Sequence, residues 1–383
     1  MDKYFSKPRF ACFEKTVILT FCQGEESRMM KSKVILDPHG RRMANIFTAE
    51  DLARLHDAAE ICWARDEPMP EHEIEKVCDE VVAIITGRWR YGDIGRFPNI
   101  KAVLEVSGGF PSAEDLDYAT CFSRRIRVLS CAPAFGPAVA EMGLALALAC
   151  SRQVAWTDSA FRSDEPNWSH TSFDTETGHP FTLYGKQAGF IGFGGLARSL
   201  KPLLEPFRCP IQVYDPWLTD TYLRTQGVTP VGMDTLLRTS RLIFVMAVPS
   251  AANRALLDSE KLSLIRQDAV LLLLSRAHVV DFDALTEMLQ QGRFCAGIDV
   301  FPEEPLPQDH PIRKVKHAVL SSHRAGAIEE ALLNIGRIVT DDIEAICQGL
   351  VPQEMQVAQP EFIRMRDNKK AERTAEQAAG GDA

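Results

Sequence analysis

The sequence predicts an α/β protein built from two doubly wound, parallel-sheet domains with a cleft between them. Three observations lead there. The chain has 383 residues, beyond the roughly 250–300 at which a single core stops growing. Short apolar runs alternate with helical stretches along most of its length, the pattern of βαβ units. That alternation occurs twice, on either side of one long apolar helix.

The first series begins at Lys33 with Lys33–Asp37, a short buried strand. A helix follows over Thr48–Ala58, where Thr48 caps the N-terminus and Asp51 sits in the first turn, favoured by the helix dipole. Val81–Ile85 and Ala102–Val106 are further strands. The run from Pro137 to Arg152 is apolar almost all round, so the helix it forms should be buried between domains or subunits. The polar segment Asp158–Pro180 reads as an irregular surface loop. A second series runs from Ala188 to about Ser322, and helical periodicity resumes over Ile328–Leu350. Residues 1–32 form an N-terminal extension without periodicity. The charged tail, 364–383, is expected to be disordered.

Composition narrows the function. Hydrophobic residues make up 45% and charged residues 25%, with a net charge of −9 and no concentrated basic stretch. That excludes a nucleic-acid footprint. No run of about 18 apolar residues is present, so no membrane span is expected. Thr16–Phe21 is too short and too charged at its flanks for a signal peptide. The ten cysteines lack metal-like spacing and read as buried thiols, with no metal site. A cytoplasmic location is the expectation.

The most informative segment is Gln187–Arg198, an apolar strand running through Gly192-Phe-Gly194-Gly195-Leu196-Ala197 into a helix. Gly192 permits a tight turn, Gly194 lets backbone approach a pyrophosphate, and Ala197 packs helix against strand. The next strand, Ile211–Asp215, ends in a carboxylate about 20 residues after the turn. Asp215 suits the adenosine ribose hydroxyls and repels a 2′-phosphate, which favours NAD over NADP.

Several further motifs follow in order: Ala138-Val-Ala-Glu-Met-Gly-Leu-Ala-Leu-Ala, Leu183-Tyr-Gly-Lys, Val248-Pro249, Leu273-Leu-Ser-Arg276, Gly297-Ile-Asp299-Val-Phe-Pro-Glu-Glu304-Pro and Leu320-Ser-Ser-His323-Arg-Ala-Gly326. With these the chain resembles the D-isomer-specific 2-hydroxyacid dehydrogenase family. The resemblance implies two Rossmann-like domains. One is a flavodoxin-like substrate domain over 33–132 and 325–352; the other is an NAD-binding Rossmann domain over 133–324. The enzyme would be a homodimer that closes a cleft on a small 2-keto or 2-hydroxy acid.

The resemblance also assigns roles. Arg276, Glu304 and His323 match the catalytic set. A His can give a proton to the carbonyl oxygen as hydride reaches its carbon. A carboxylate on the ring favours the imidazolium, and an Arg binds the substrate carboxylate. Gly192, Gly194, Gly195, Leu196, Asp215, Val248, Pro249, Leu274, Ser275 and Asp299 are the implied cofactor residues, with Asp299 on the carboxamide. Gly108 and Gly109, in Ser107-Gly-Gly-Phe110, match the loop whose N–H groups bind the substrate carboxylate, and Arg88 is a further anion-binding candidate. The chain departs from the family at Leu273, Gly195 and Ala277, usually Asn, a larger residue and Gly. An alternative on the same fold is an NAD(H)-sensing, non-enzymatic scaffold like the C-terminal binding protein corepressors.

Overall fold

The computed structural model describes residues 31–163, 180–248, 253–361 and 363. The extension over 1–30, Pro249 and the tail 364–383 lie outside the described residues. Residues from Ser32 onward form one unit containing two sheets.

The first sheet holds β1 (Lys33–Asp37), β2 (Glu60–Trp63), β3 (Val81–Thr86), β4 (Ala102–Glu105) and β5 (Arg127–Ser130), all parallel, in the order 2-1-3-4-5. This is the flavodoxin-like order, with its switch point between β1 and β3. The second holds β6 (Ala188–Ile191), β7 (Ile211–Tyr214), β8 (Thr229–Pro230), β9 (Leu242–Val245), β10 (Val270–Leu273), β11 (Cys295–Ile298) and β12 (Ala318–Leu320). Its order, β8-β7-β6-β9-β10-β11-β12, is the Rossmann order with one added strand. Its central strands show no polar alternation. Leu242–Val245 and Val270–Leu273 are buried on both faces, which is why they read as continuous apolar runs.

Thr48 caps the Ala49–Ala58 helix as expected, accepting from Asp51 N at 3.0 Å. The long apolar helix is Gly136–Ser151, packed on the second sheet. With its lead-in, Ala132–Ser151 is long and apolar enough to cross a membrane, yet 56% of its apolar 18-residue window is buried inside the protein. It is a core helix.

Two expectations change. The segment from Asp158 reads as loop by composition, but Val154–Arg162 is helical. Its spacing pairs Asp158 with Arg162 at 3.0 Å across one turn, an i,i+4 support that the surrounding Ser and Thr residues obscure. Residues 164–179 of that segment lie outside the described residues. The chain also returns to the first lobe for longer than residue 352. After the Glu329–Cys347 helix, β13 (Gln356–Val357) pairs antiparallel with β5, and Met355, Ala358 and Ile363 are buried in the first lobe. A two-residue strand is too short to leave a periodic signal.

Candidate active site and cofactor cradle

Both sheets direct the C-terminal ends of their strands toward loops that carry the candidate residues, where ligands of open α/β sheets bind. In the second sheet the switch point lies between β6 and β9. Gly192 follows β6 with φ +90°, and a Cβ there would stand 2.7 Å from Ala247 Cα, on the loop after β9. Only glycine fits that left-handed turn against a neighbouring backbone.

The next two glycines behave differently. Gly194 is the N-cap of the Gly195–Leu204 helix, and no side chain caps it. A Cβ on Gly194 or on Gly195 would meet nothing within 4 Å. An open space therefore faces a ten-residue helix N-terminus whose first N–H groups lack intrahelical partners, a cradle for a pyrophosphate. Leu196 is half-buried and packs toward the core behind it.

Asp215 ends β7. One carboxylate oxygen accepts from Phe193 N at 2.8 Å and the other from Trp217 N at 3.0 Å. It thus ties its own loop to the glycine turn and keeps lone pairs for a ribose. Val248, three residues beyond β9, exposes 47% of its surface and directly follows Ala247, whose backbone abuts the Gly192 turn. Leu274 and Ser275 follow β10 and are buried, the Ser275 hydroxyl without a hydrogen-bond partner among the described residues. These residues fit a dinucleotide along the strand ends.

Two of the three polar candidates, Glu304 and His323, are in direct contact. His323 Nδ1 lies 2.6 Å from Glu304 Oε2, and Glu304 Oε1 accepts from Phe301 N at 3.0 Å. Burial pushes the Glu304 carboxyl up. The hydrogen bonds from His323 and Phe301 N, with the charges of His323 and Arg276, outweigh that and hold it below its ordinary value. Arg276 therefore stands close enough for its charge to act on Glu304; its own Nη1 donates to Ser275 O at 2.7 Å.

His323 adopts φ +53°, a left-handed conformation that costs a non-glycine residue about 1–3 kcal/mol. Asp299 explains how it is held. His323 N donates to the Asp299 carbonyl at 2.8 Å, while Arg324 N and Ala325 N donate to its carboxylate at 2.9 and 3.2 Å. Asp299 is 1% exposed. The sequence motif places it against a carboxamide; in this structure its carboxylate braces the His323 loop.

The first lobe departs more sharply. The N–H groups of Ser107, Gly108 and Gly109 all donate to the Glu105 carboxylate, at 3.0, 3.2 and 3.1 Å. Glu105 is 3% exposed. The expectation that these N–H groups await a substrate carboxylate is not met, because the strand that precedes them supplies its own. Burial raises the Glu105 carboxyl above its ordinary value, against the opposing hydrogen bonds from the Ser107 hydroxyl and the three N–H groups. Gly108 itself has φ +107°, and a Cβ would lie 3.1 Å from the Phe135 ring.

Arg88 is exposed on the loop after β3; its backbone bonds Thr86, and no bond among the described residues joins its guanidinium to another candidate. Glu105 and Arg41 are not singled out by the sequence. A lone Glu closing the apolar run Ala-Val-Leu-Glu-Val before two glycines was the available signal. Eight cysteines among the described residues are all thiols, and no group of metal-ligating side chains occurs among them.

The comparisons agree with this geometry. Residues 144–325 match the model of the D-isomer specific 2-hydroxyacid dehydrogenase NAD binding domain. A phosphoglycerate oxidoreductase from Rhizobium etli superposes with a TM-score of 0.74 at 33% identity, covering 86% of this chain and 99% of that one. A glyoxylate reductase of Korarchaeum cryptofilum is 25% identical over 82% of this chain and 94% of its own length. Rhodotorula graminis D-mandelate dehydrogenase, at 18% identity and a TM-score of 0.69, shares the fold over 86% of this chain and 99% of that one. The paired switch points, the glycine cradle and these relatives together establish that the chain belongs to the D-isomer-specific 2-hydroxyacid dehydrogenase family, as an NAD-dependent enzyme.

Proposed function

We propose that the protein reduces a small 2-keto acid to its (D)-2-hydroxy acid, with His323 and Glu304 as the proton-donating pair and Arg276 on the substrate carboxylate. The observation that carries this is the 2.6 Å contact between His323 Nδ1 and Glu304 Oε2, within reach of the Arg276 charge. NADH bound along the glycine cradle supplies the hydride. The residues of this chain do the rest.

Glu304 accepts at Nδ1, which leaves Nε2–H of the imidazolium as the donor available to the carbonyl oxygen. As hydride arrives at C2, that proton moves to the oxygen, the carbonyl becomes a hydroxyl and the ring becomes neutral. Solvent reprotonates it, and the reverse reaction uses the same nitrogen as base. Arg276 fixes the carboxylate and polarises the carbonyl beside it. The relatives named glyoxylate reductase and phosphoglycerate oxidoreductase support a substrate of this size.

The test is NADH oxidation against a panel of glyoxylate, hydroxypyruvate, pyruvate and phosphohydroxypyruvate, with NADPH in parallel. Turnover of at least one acid, with NADH preferred, is expected. NADH binding with no turnover on any of them would return the protein to the scaffold reading.

A further inference from the structure

Arg41 stands on the loop after β1, at the switch point of the first sheet, and reaches over β3 to the loop after β4. Its Nε donates to the Val106 carbonyl at 2.5 Å and its Nη2 to the Ser107 carbonyl at 3.0 Å. Its guanidinium carbon lies 5.6 Å from the centroid of the Phe135 ring, within cation–π range. Phe135 also lies against both catalytic-side loops. A Cβ on Gly108 would come within 3.1 Å of that ring, and one on Gly326, three residues after His323, within 3.0 Å of it. Arg41 is half-buried, and no carboxylate among the described residues lies within ion-pair distance of it.

A cation held by two carbonyls and a ring, with remaining N–H groups that bond nothing else among the described residues and no carboxylate within ion-pair distance, is poised for an anion from outside. The neighbouring loop cannot serve that anion, since Glu105 occupies the N–H groups of Ser107, Gly108 and Gly109. We propose that Arg41 binds the substrate carboxylate from the first lobe, opposite Arg276 on the second, in place of those N–H groups. The proposal rests on the dehydrogenase reading for its substrate class. It makes the first lobe select a carboxylate by charge rather than by backbone hydrogen bonds.

The experiment measures binding of oxamate and of its neutral counterpart oxamide to the full-length, NADH-loaded protein, in wild type, Arg41→Gln and Arg41→Lys. Loss of a charge-assisted bidentate bond predicts oxamate weakened about 10–100-fold in Arg41→Gln. NADH affinity and oxamide affinity should stay within about twofold, and Arg41→Lys should recover part of the oxamate affinity. Equal oxamate affinity in wild type and Arg41→Gln overturns the proposal. So does a parallel loss of oxamide, which marks a merely structural loop anchor, or a Lys variant as weak as Gln. The outcomes separate from the reading beneath them. Arg41-dependent oxamate binding without turnover of any 2-keto acid sinks the dehydrogenase reading alone. Turnover that ignores Arg41 sinks this proposal alone.

Discussion

The two lobes each carry a glycine loop directly after a parallel strand, and the two loops have opposite fates. After β6, Gly194 and Gly195 open onto empty space at a helix N-terminus. After β4, the N–H groups of Ser107, Gly108 and Gly109 close on the buried carboxylate of Glu105. Glycines and backbone donors alone therefore do not define an anion site. The residue closing the strand decides it: the side chain of Ile191 at the end of β6 cannot accept a hydrogen bond, and that of Glu105 at the end of β4 can. One loop is left waiting for an external anion, and the other is satisfied from within.

Substitutions put this contrast at risk. The largest effect is expected for Gly192→Ala, which forces an L side chain into φ +90° and against Ala247, 2.7 Å away. It should cost about 3–5 kcal/mol of stability and weaken NADH binding, checked by denaturant unfolding and NADH fluorescence. Glu105→Ala comes next. It leaves three partly buried N–H groups without their acceptor and should cost about 1–3 kcal/mol, read from the same unfolding curves. A neutral effect would mean that the loop reorganises and that its donors were never committed.

Activity changes extend the contrast to the other side of the cleft. Glu304→Gln removes the charge on the His323 ring and should lower kcat for keto-acid reduction by about 10–100-fold, with NADH affinity unchanged. Steady-state kinetics beside an NADH titration check this.

The smallest effect is a sign rather than a size. Glu304 is held below its ordinary value of 4.5, so its contribution to stability is present above that pH and lost as pH falls through the lower folded value. Glu105 is raised above 4.5 by burial, so its contribution is full below 4.5 and lost as pH rises through the folded value. Comparing wild type with Glu304→Gln and Glu105→Gln between pH 3.5 and about 7 should therefore give difference curves of opposite slope. Slopes of the same sign would contradict the two environments described.

Much of this was legible in the sequence. Lys33–Asp37 and the strand at Val81 appear with bounds within one residue of those read, because strands buried on both faces are continuous apolar runs. Glu304 and His323 lie 19 residues apart in the chain, and only the ordered motifs around them hinted at their contact. Nothing in Gly-Ile-Asp-Val shows that the His323 loop donates to the Asp299 carboxylate, so that bracing task is invisible in the motif. Glu105 was missed for a related reason. A carboxylate bonded to backbone two to four residues later depends on loop conformation, which residue types alone do not reveal. Arg41 was missed because its partners, Val106 and Ser107, are carbonyls 65 and 66 residues away.

The catalytic reading depends on the imidazole backed by Glu304 protonating a keto acid beside the bound nicotinamide. Single-turnover oxidation of NADH by glyoxylate, or by the best acid of the panel, isolates that step in wild type and His323→Ala. The rate should be lower by about 10²–10⁴ in the variant, with the dissociation constant for NADH within about twofold. A variant that turns over near the wild-type rate would contradict it.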